Sequence, residues 1–225
     1  MQEFPRILAE AHLWQIVGLS LQVSLAAVAM AATLGLPLGA AIAVGRFRGR
    51  HALIVVLNAL MGLPPVVVGL IVYMLLSRAG PLGSLGMLFT PGAMIVAQTI
   101  LILPIIAALS RQAVEDAWRE YAEQLRSLGV DGVPAALTVL WDIRFSLVTT
   151  VLAGLGRAVA EVGAVIIVGG NIDGITRVMT TAIALETSKG DLPLALGLGV
   201  VLMVIVVVLN AAAFLVKEAA ERRYG

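Results

Sequence analysis

The sequence predicts an all-α integral membrane protein with five transmembrane helices, organised as a single domain over residues 1–225. Three observations carry this expectation. Hydrophobic residues make up 60% of the chain and charged residues only 13%, against about 45–50% and about 25% in an ordinary soluble domain. Mean hydropathy is +1.02. Residues 11–45, 52–77, 79–110 and 192–216 contain no Asp, Glu, Lys or Arg, and each stretch exceeds the roughly 18–20 apolar residues that cross a bilayer. A soluble enzyme, a disordered chain and a nucleic-acid binder are excluded. The net charge of +1 offers nothing to a polyanion. With no cysteine, disulfides, thiol catalysis and cysteine-based metal sites are excluded as well.

The elements follow in order. Residues 1–12 carry Glu3, Arg6 and Glu10 and lack the basic start of a secretory signal, so the first span is expected to be an uncleaved anchor. That span covers 13–44, roughly 47 Å of helix against a hydrocarbon core of roughly 30 Å, which implies tilt or an interfacial portion. The other spans are expected at 52–76, 92–110, 145–170 and 193–216. An odd number puts the two termini on opposite sides. Arg46, Arg48, Arg50, Arg111, Arg119, Arg126, Arg144, Lys217, Arg222 and Arg223 fall on one side, and Arg6, Arg78, Arg177 and Lys189 on the other. The richer side is expected to be cytoplasmic, with the N-terminus outside and the C-terminus inside. Trp14 and Tyr73 suit the outer interface, and Trp141 and Phe145 the inner one.

Residues 111–144 hold ten of the 29 charges, so this is where the chain meets water. Val114, Ala117, Trp118, Tyr121, Leu125 and Leu128 recur at helical spacing. Arg119 with Glu123, and Glu123 with Arg126, are placed to pair along the helix. Gly129 suits a helix stop, Val130-Asp131-Gly132 a tight turn, and Pro134 the first turn of a new helix. The hairpin reads either as a solvated link between spans or as a docking element for a partner. Within the fourth span, Arg157 lies about 12 residues past Phe145, roughly 18 Å deep, with Glu161 four residues on. Ions at that depth face protein or water and have partners. The pair is either a packing device or a charge exposed to an anion's path. Pro64 and Pro65 break the second span, and irregular backbone at that depth is tolerated when buried in protein or lining a cavity. Gly62 and Gly69 permit a close helix neighbour. Ile175, Val178, Met179, Ala182 and Ile183 space an amphipathic helix within 171–192.

Several of these stretches carry a resemblance. Glu123-Gln124-Leu125-Arg126-Ser127-Leu128-Gly129 resembles the "EAA" loop of binding-protein-dependent ABC importer permeases, with Val139 where that loop has Ile. Gln124 and Leu125 stand in place of two alanines, and Trp141-Asp142 in place of Leu-Pro. The segment from Gly62 to Gly69 resembles the proline-containing second span of molybdate-type permeases. The segment from Gly156 to Ala164 resembles the Arg-x-x-x-Glu-x-Gly-Ala stretch of molybdate, tungstate and sulfate permeases. Gly170-Asn171-Ile172 follows in place, and Thr176 to Thr187 is most similar to the tungstate branch.

The resemblance implies a type I ABC importer permease core, MetI-like, in a bacterial or archaeal cytoplasmic (inner) membrane. It implies a homodimer, two cytoplasmic ABC ATPase subunits, a periplasmic or lipid-anchored oxyanion-binding protein, surrounding membrane lipid, and no nucleic acid. Trp118, Tyr121, Glu123, Arg126, Gly129 and Asp131 would couple to the ATPase. Pro64, Pro65, Arg157, Glu161, Asn171, Thr176, Arg177, Thr180 and Thr181 would border the pathway or gate, the threonines and arginines offering donors to an oxyanion. The chain has no Gly-x-x-x-x-Gly-Lys-Ser/Thr loop. No cofactor is therefore expected in it, ATP and magnesium being held by the partner ATPase, and the chain itself is expected not to be an enzyme. The implied cargo is tungstate, with molybdate or sulfate as alternatives. An ATP-independent channel or carrier is the competing class, and five spans in one chain suit an inverted repeat poorly.

Overall fold

A computed structural model describes residues 11–130 and 132–224. Among the described residues there are nine α-helices and no strand. They are α1 (Ala11–Val44), α2 (Arg50–Leu60), α3 (Pro65–Leu76), α4 (Pro91–Ser127), α5 (Gly132–Asp142), α6 (Arg144–Val159), α7 (Gly163–Gly169), α8 (Met179–Lys189) and α9 (Leu192–Tyr224). Three stretches, Leu13–Val44, Pro91–Tyr121 and Leu192–Leu215, are long and apolar enough to cross a bilayer unbroken. Two bent pairs bring the number of crossings to as many as five: α2 with α3 at 99°, and Pro134–Asp142 with α6 at 73°.

The centre of the molecule is α4, packed along α1. Helices in lipid gain little from burying apolar surface against one another, so close approach and interhelical hydrogen bonds decide their pairing. Gly35 and Gly39 supply the approach. A Cβ on Gly39 would stand 2.4 Å from the Ala107 carbonyl oxygen, and one on Gly35 3.1 Å from Ile106. The Ser110 hydroxyl donates to the Leu36 carbonyl at 3.2 Å across the same contact. Gly154 brings α6 equally close, its Cβ position lying 2.9 Å from Ile106. The resulting core joins Ala27, Val28 and Ala31 of α1 to Ile102 and Ile106 of α4 and to Leu155 and Ala158 of α6. α9 buries Ala195, Leu198 and Val201 but exposes Leu196, Val200, Met203, Val204, Val207 and Val208. A helix apolar on its outward face belongs against lipid.

Three expectations about the elements are corrected. The third span and the amphipathic helix after it are one 37-residue helix, α4. No glycine or proline occurs between Ile105 and Leu128, and the stretch is rich in strong helix formers. The surroundings change from apolar to polar while the backbone has no reason to stop. It stops where Gly129 takes φ +73. The Val130 amide then donates to the Leu125 carbonyl at 2.9 Å, the long bond of a glycine-terminated helix end. The fourth span is not continuous over 145–170: α6 ends at Val159 and α7 begins at Gly163. The amphipathic spacing begun at Ile175 yields a helix only from Met179, because the Ile172 carbonyl accepts the amides of Ile175, Thr176 and Arg177 in a tight turn.

Candidate functional site

Two interrupted spans meet at one place. Pro65 starts α3, with Pro64 extended before it; proline is preorganised for a first helical turn and needs no amide partner there. Gly163 starts α7, and a Cβ on it would lie 3.1 Å from Val66 and 3.4 Å from Pro65. One turn along α3, a Cβ on Gly69 would stand 2.8 Å from the Ala164 Cα. Gly62, by contrast, has only its own helix's Ala59 oxygen near, at 3.5 Å. The proline break and the Arg157–Glu161 segment, almost a hundred residues apart in the chain, are thus neighbours.

At this joint three freed backbone groups, the Ala158 and Glu161 carbonyls and the Ala164 amide, are met by side chains. Arg157, in the last turn of α6, pairs through Nη1 with Glu161 Oε2 at 2.5 Å. The other carboxylate oxygen, Oε1, accepts the Ala164 amide at 2.9 Å. Glu161 therefore closes the ion pair and caps the start of α7, where a negative charge is favoured by the helix dipole. The Thr180 hydroxyl donates to the Glu161 carbonyl at 2.9 Å. Gln98 of α4 donates its side-chain amide to the Ala158 carbonyl at 3.2 Å. The Glu161 side chain is 2% exposed and that of Arg157 is 30% exposed. The carboxylate is buried, while the arginine side chain is part-exposed.

Residues 171–181 lie at the far end of α7 and form a turn lock. The Thr176 hydroxyl, fully buried, donates to the Gly169 carbonyl at 2.6 Å and accepts the Ile172 amide at 2.9 Å. The Thr181 hydroxyl, also buried, donates to the Val178 carbonyl and accepts its amide at the start of α8. Asn171, at φ +49, donates to the Thr181 carbonyl at 3.4 Å, and Arg177 pairs with Asp173 at 3.0 Å. The structure places these four as fasteners of the turn. Of the threonines expected to offer donors, only Thr180 reaches the break. Thr176→Val is expected to strand one buried acceptor and one buried donor, lowering stability by about 2 kcal/mol; a thermal melt of the purified protein measures it.

The segment read as a docking element has a packed side and an open side. Trp118 and Tyr121 pack against a core of Ala40, Ala43, Val114, Ala117 and Val139. They anchor α4 to the end of α1 and to α5. The Tyr121 phenol also bonds with Asp142. Glu123 is exposed, and nothing stands within 4 Å of a Cβ on Gly129. The Arg126 side chain and Asp131 lie outside the described residues. Between α4 and α5 an open groove of about 260 Å³ is lined by Tyr121, Gln124, Leu125, Leu128 and Trp141. Leu128, Leu137 and Trp141 stand out from the surface there. Arg144 covers the Trp141 and Phe145 rings, with its guanidinium carbon 5.0 and 4.4 Å from their centres.

Sequence reasoning missed three features. Gln98 escaped because a single glutamine in an apolar helix carries no spacing signal. Gly35 and Gly39 did carry one, the small-x-x-x-small spacing of close helix pairs. The third is a clasp between α1 and α4. Arg50 donates to the Ile42 and Ala43 carbonyls at 2.8 and 3.2 Å, satisfying the end of α1. The same Arg50 pairs with Glu115, which Arg111 also engages at 2.5 Å.

Comparison with known proteins accords with this arrangement. The profile of a family described as "Binding-protein-dependent transport system inner membrane component" matches residues 35–225. A "Probable anion ABC transporter permease protein" of Haloferax volcanii is 43% identical over 205 residues, covering 89% of this chain and 88% of its own length. The "Tungstate uptake system permease protein TupB" of Peptoclostridium acidaminophilum is 39% identical over 209 residues, covering 93% and 92%. The TupB of Campylobacter jejuni is 40% identical over 164 residues, covering 73% and 69%. With bent crossings meeting at a partly exposed arginine, an amphipathic hairpin and a family match over most of its length, this chain belongs to the inner-membrane permease subunits of binding-protein-dependent ABC transporters, a multi-pass transport component and not itself an enzyme.

Proposed function

We propose that this permease forms, as a homodimer, the membrane pathway of an importer for tungstate. The observation that carries an anionic cargo is Arg157, a guanidinium whose charge is held at the joint of two broken spans while its partner Glu161 stays buried. Relatives named for tungstate uptake and anion transport, at 39–43% identity, support the cargo. In the reading proposed here, an outer binding protein delivers the oxyanion and the Arg157 guanidinium receives it with charge-assisted hydrogen bonds. Two ATPase subunits, holding ATP and magnesium, dock on the hairpin 111–144. In this reading the hairpin and the C-terminus are cytoplasmic and the N-terminus is outside, which the excess of Lys and Arg on the hairpin side supports.

The test is reconstitution in liposomes with the ATPase and binding protein, ATP inside and labelled anion outside. ATP-dependent tungstate uptake that excess sulfate does not suppress is the expected result. Equal handling of sulfate overturns the cargo, and failure to co-purify with any nucleotide-binding subunit overturns the docking. Gly129→Val separates docking from folding. Nothing crowds the position, but a β-branched residue at φ +73 costs about 1–2 kcal/mol locally and reshapes the hairpin tip. Co-purification with the ATPase is expected to fall steeply while the melting temperature of the isolated permease moves little.

A further inference from the structure

Next to the break between α6 and α7 lies a small, partly enclosed cavity among α1, α4, α6, α8 and α9. Its walls include Ser24, Gln98, Ala158, Glu161, Met179 and Thr180. Its free volume of about 10 Å³ admits a water-sized sphere, so a water has room there. Gln98 is 3% exposed, and the orientation of its amide is determined by its neighbour. The Ala158 carbonyl requires a donor, so Nε2 faces it at 3.2 Å. That leaves Oε1 buried with no hydrogen-bond partner in the protein. A buried amide oxygen without a donor is costly, and such atoms are met by protein or by ordered water.

We propose that this cavity is a hydration site holding one ordered water, which donates to Gln98 Oε1 and is held on the other side by the polar groups around Ser24 and Thr180. A metal cation fits the site poorly. Both oxygens of Glu161 are engaged, one by Arg157 and one by the Ala164 amide, so the full shell of oxygens that a hard cation requires is lacking. A neutral water both donates and accepts, and needs only two to four partners. The site also has a place in the fold. Gln98 spans from α4 to the last turn of α6, where the helix ends and its carbonyls lose their own amides. The water completes the polar lining of the break without adding a side chain, so it can exchange partners when α6 and α7 change their angle.

Hydroxyl-radical footprinting by X-ray radiolysis of the complete transporter in nanodiscs tests this. Radicals formed from a bound water oxidise a neighbouring methionine to its sulfoxide. Met179 is 1% exposed and lines the cavity. Met94 is fully buried in the apolar core, with its sulfur beside Gly169 and no place on the cavity wall. Met179 is expected to be oxidised many-fold faster than Met94, although both are shielded from bulk solvent. Equal silence of the two overturns the proposal. Gln98→Leu is expected to bring the Met179 rate down to that of Met94; an unchanged Met179 rate in a folded Gln98→Leu protein would assign the oxidation to some other source. If that variant does not fold, the comparison within the wild-type chain still decides the matter.

Discussion

Glu161→Ala is expected to lower both the melting temperature and the membrane yield of the permease. The substitution removes the counter-ion of Arg157 and the cap on the Ala164 amide at the start of α7. The guanidinium left behind is part-exposed, so the loss comes mainly from the charge-assisted bonds to Glu161 and the uncapped Ala164 amide, each about 1–3 kcal/mol. Glu161→Gln keeps an acceptor for Ala164 and loses the charge, so its melting temperature falls between those of Glu161→Ala and wild type. Arg157→Ala behaves differently. The remaining carboxylate still accepts the Ala164 amide at 2.9 Å and lies beside a helix N-terminus, which favours a negative charge. This variant is expected to reach near-normal levels in the membrane and to lose uptake. The check is paired: membrane yield and melting temperature for all three variants, with transport for Arg157→Ala. Normal transport by well-expressed Arg157→Ala would reduce the pair to a packing device.

The second large effect is expected at Gly39. A methyl group there would meet the Ala107 carbonyl oxygen at 2.4 Å, and the Arg111 amide nitrogen and Ser110 Cβ at 2.8 Å. Two of these three atoms are backbone and cannot rotate away, so α1 and α4 must separate along their main contact. Overpacking of a tight interface costs about 1–3 kcal/mol. Separation also breaks the Ser110–Leu36 hydrogen bond and loosens the Arg50–Glu115 clasp one turn further on. Gly39→Ala should lower the melting temperature markedly, and Gly39→Leu should prevent accumulation. The same helix provides the control: Gly18 has nothing within 4 Å of a Cβ. Gly18→Ala is expected to be neutral or to stabilise by up to about 1 kcal/mol through helix propensity.

What could be read from the chain depended on whether the signal was local. Charge-free runs are local, and they located α1 and the starts of α4 and α9, while the ends of α4 and α9 run on past the charges at Arg111 and Lys217. The i,i+4 spacing of Arg157 and Glu161 also foretold their pairing. The reason differs, since the helix has ended by Glu161 and the carboxylate is held by the next helix's amide as well. Thr176 and Thr181 were read as donors because a threonine's identity does not reveal what its hydroxyl already holds. Their partners, Gly169, Ile172 and Val178, become apparent only once the turn is built. Gln98 and the meeting of Pro65 with Gly163 depend on contacts between distant segments, for which no alternation or periodicity in the chain gives warning.

The continuity of α4 from its apolar part into the hairpin has a consequence for angular phase. A residue inserted in a helix turns everything beyond it by about 100°. In α4, Gln98 is fixed toward the Ala158 carbonyl at one end, Ser110 toward Leu36 in the middle, and Val114 and Ala117 toward α1 and α5 at the other. No glycine lies between these points, and the helix continues through Pro104 without interruption. Spacing along this helix is therefore bound more tightly than composition. Many of its side chains can change, but adding or deleting one residue between Gln98 and Val114 would turn the hairpin's open groove away from its present bearing.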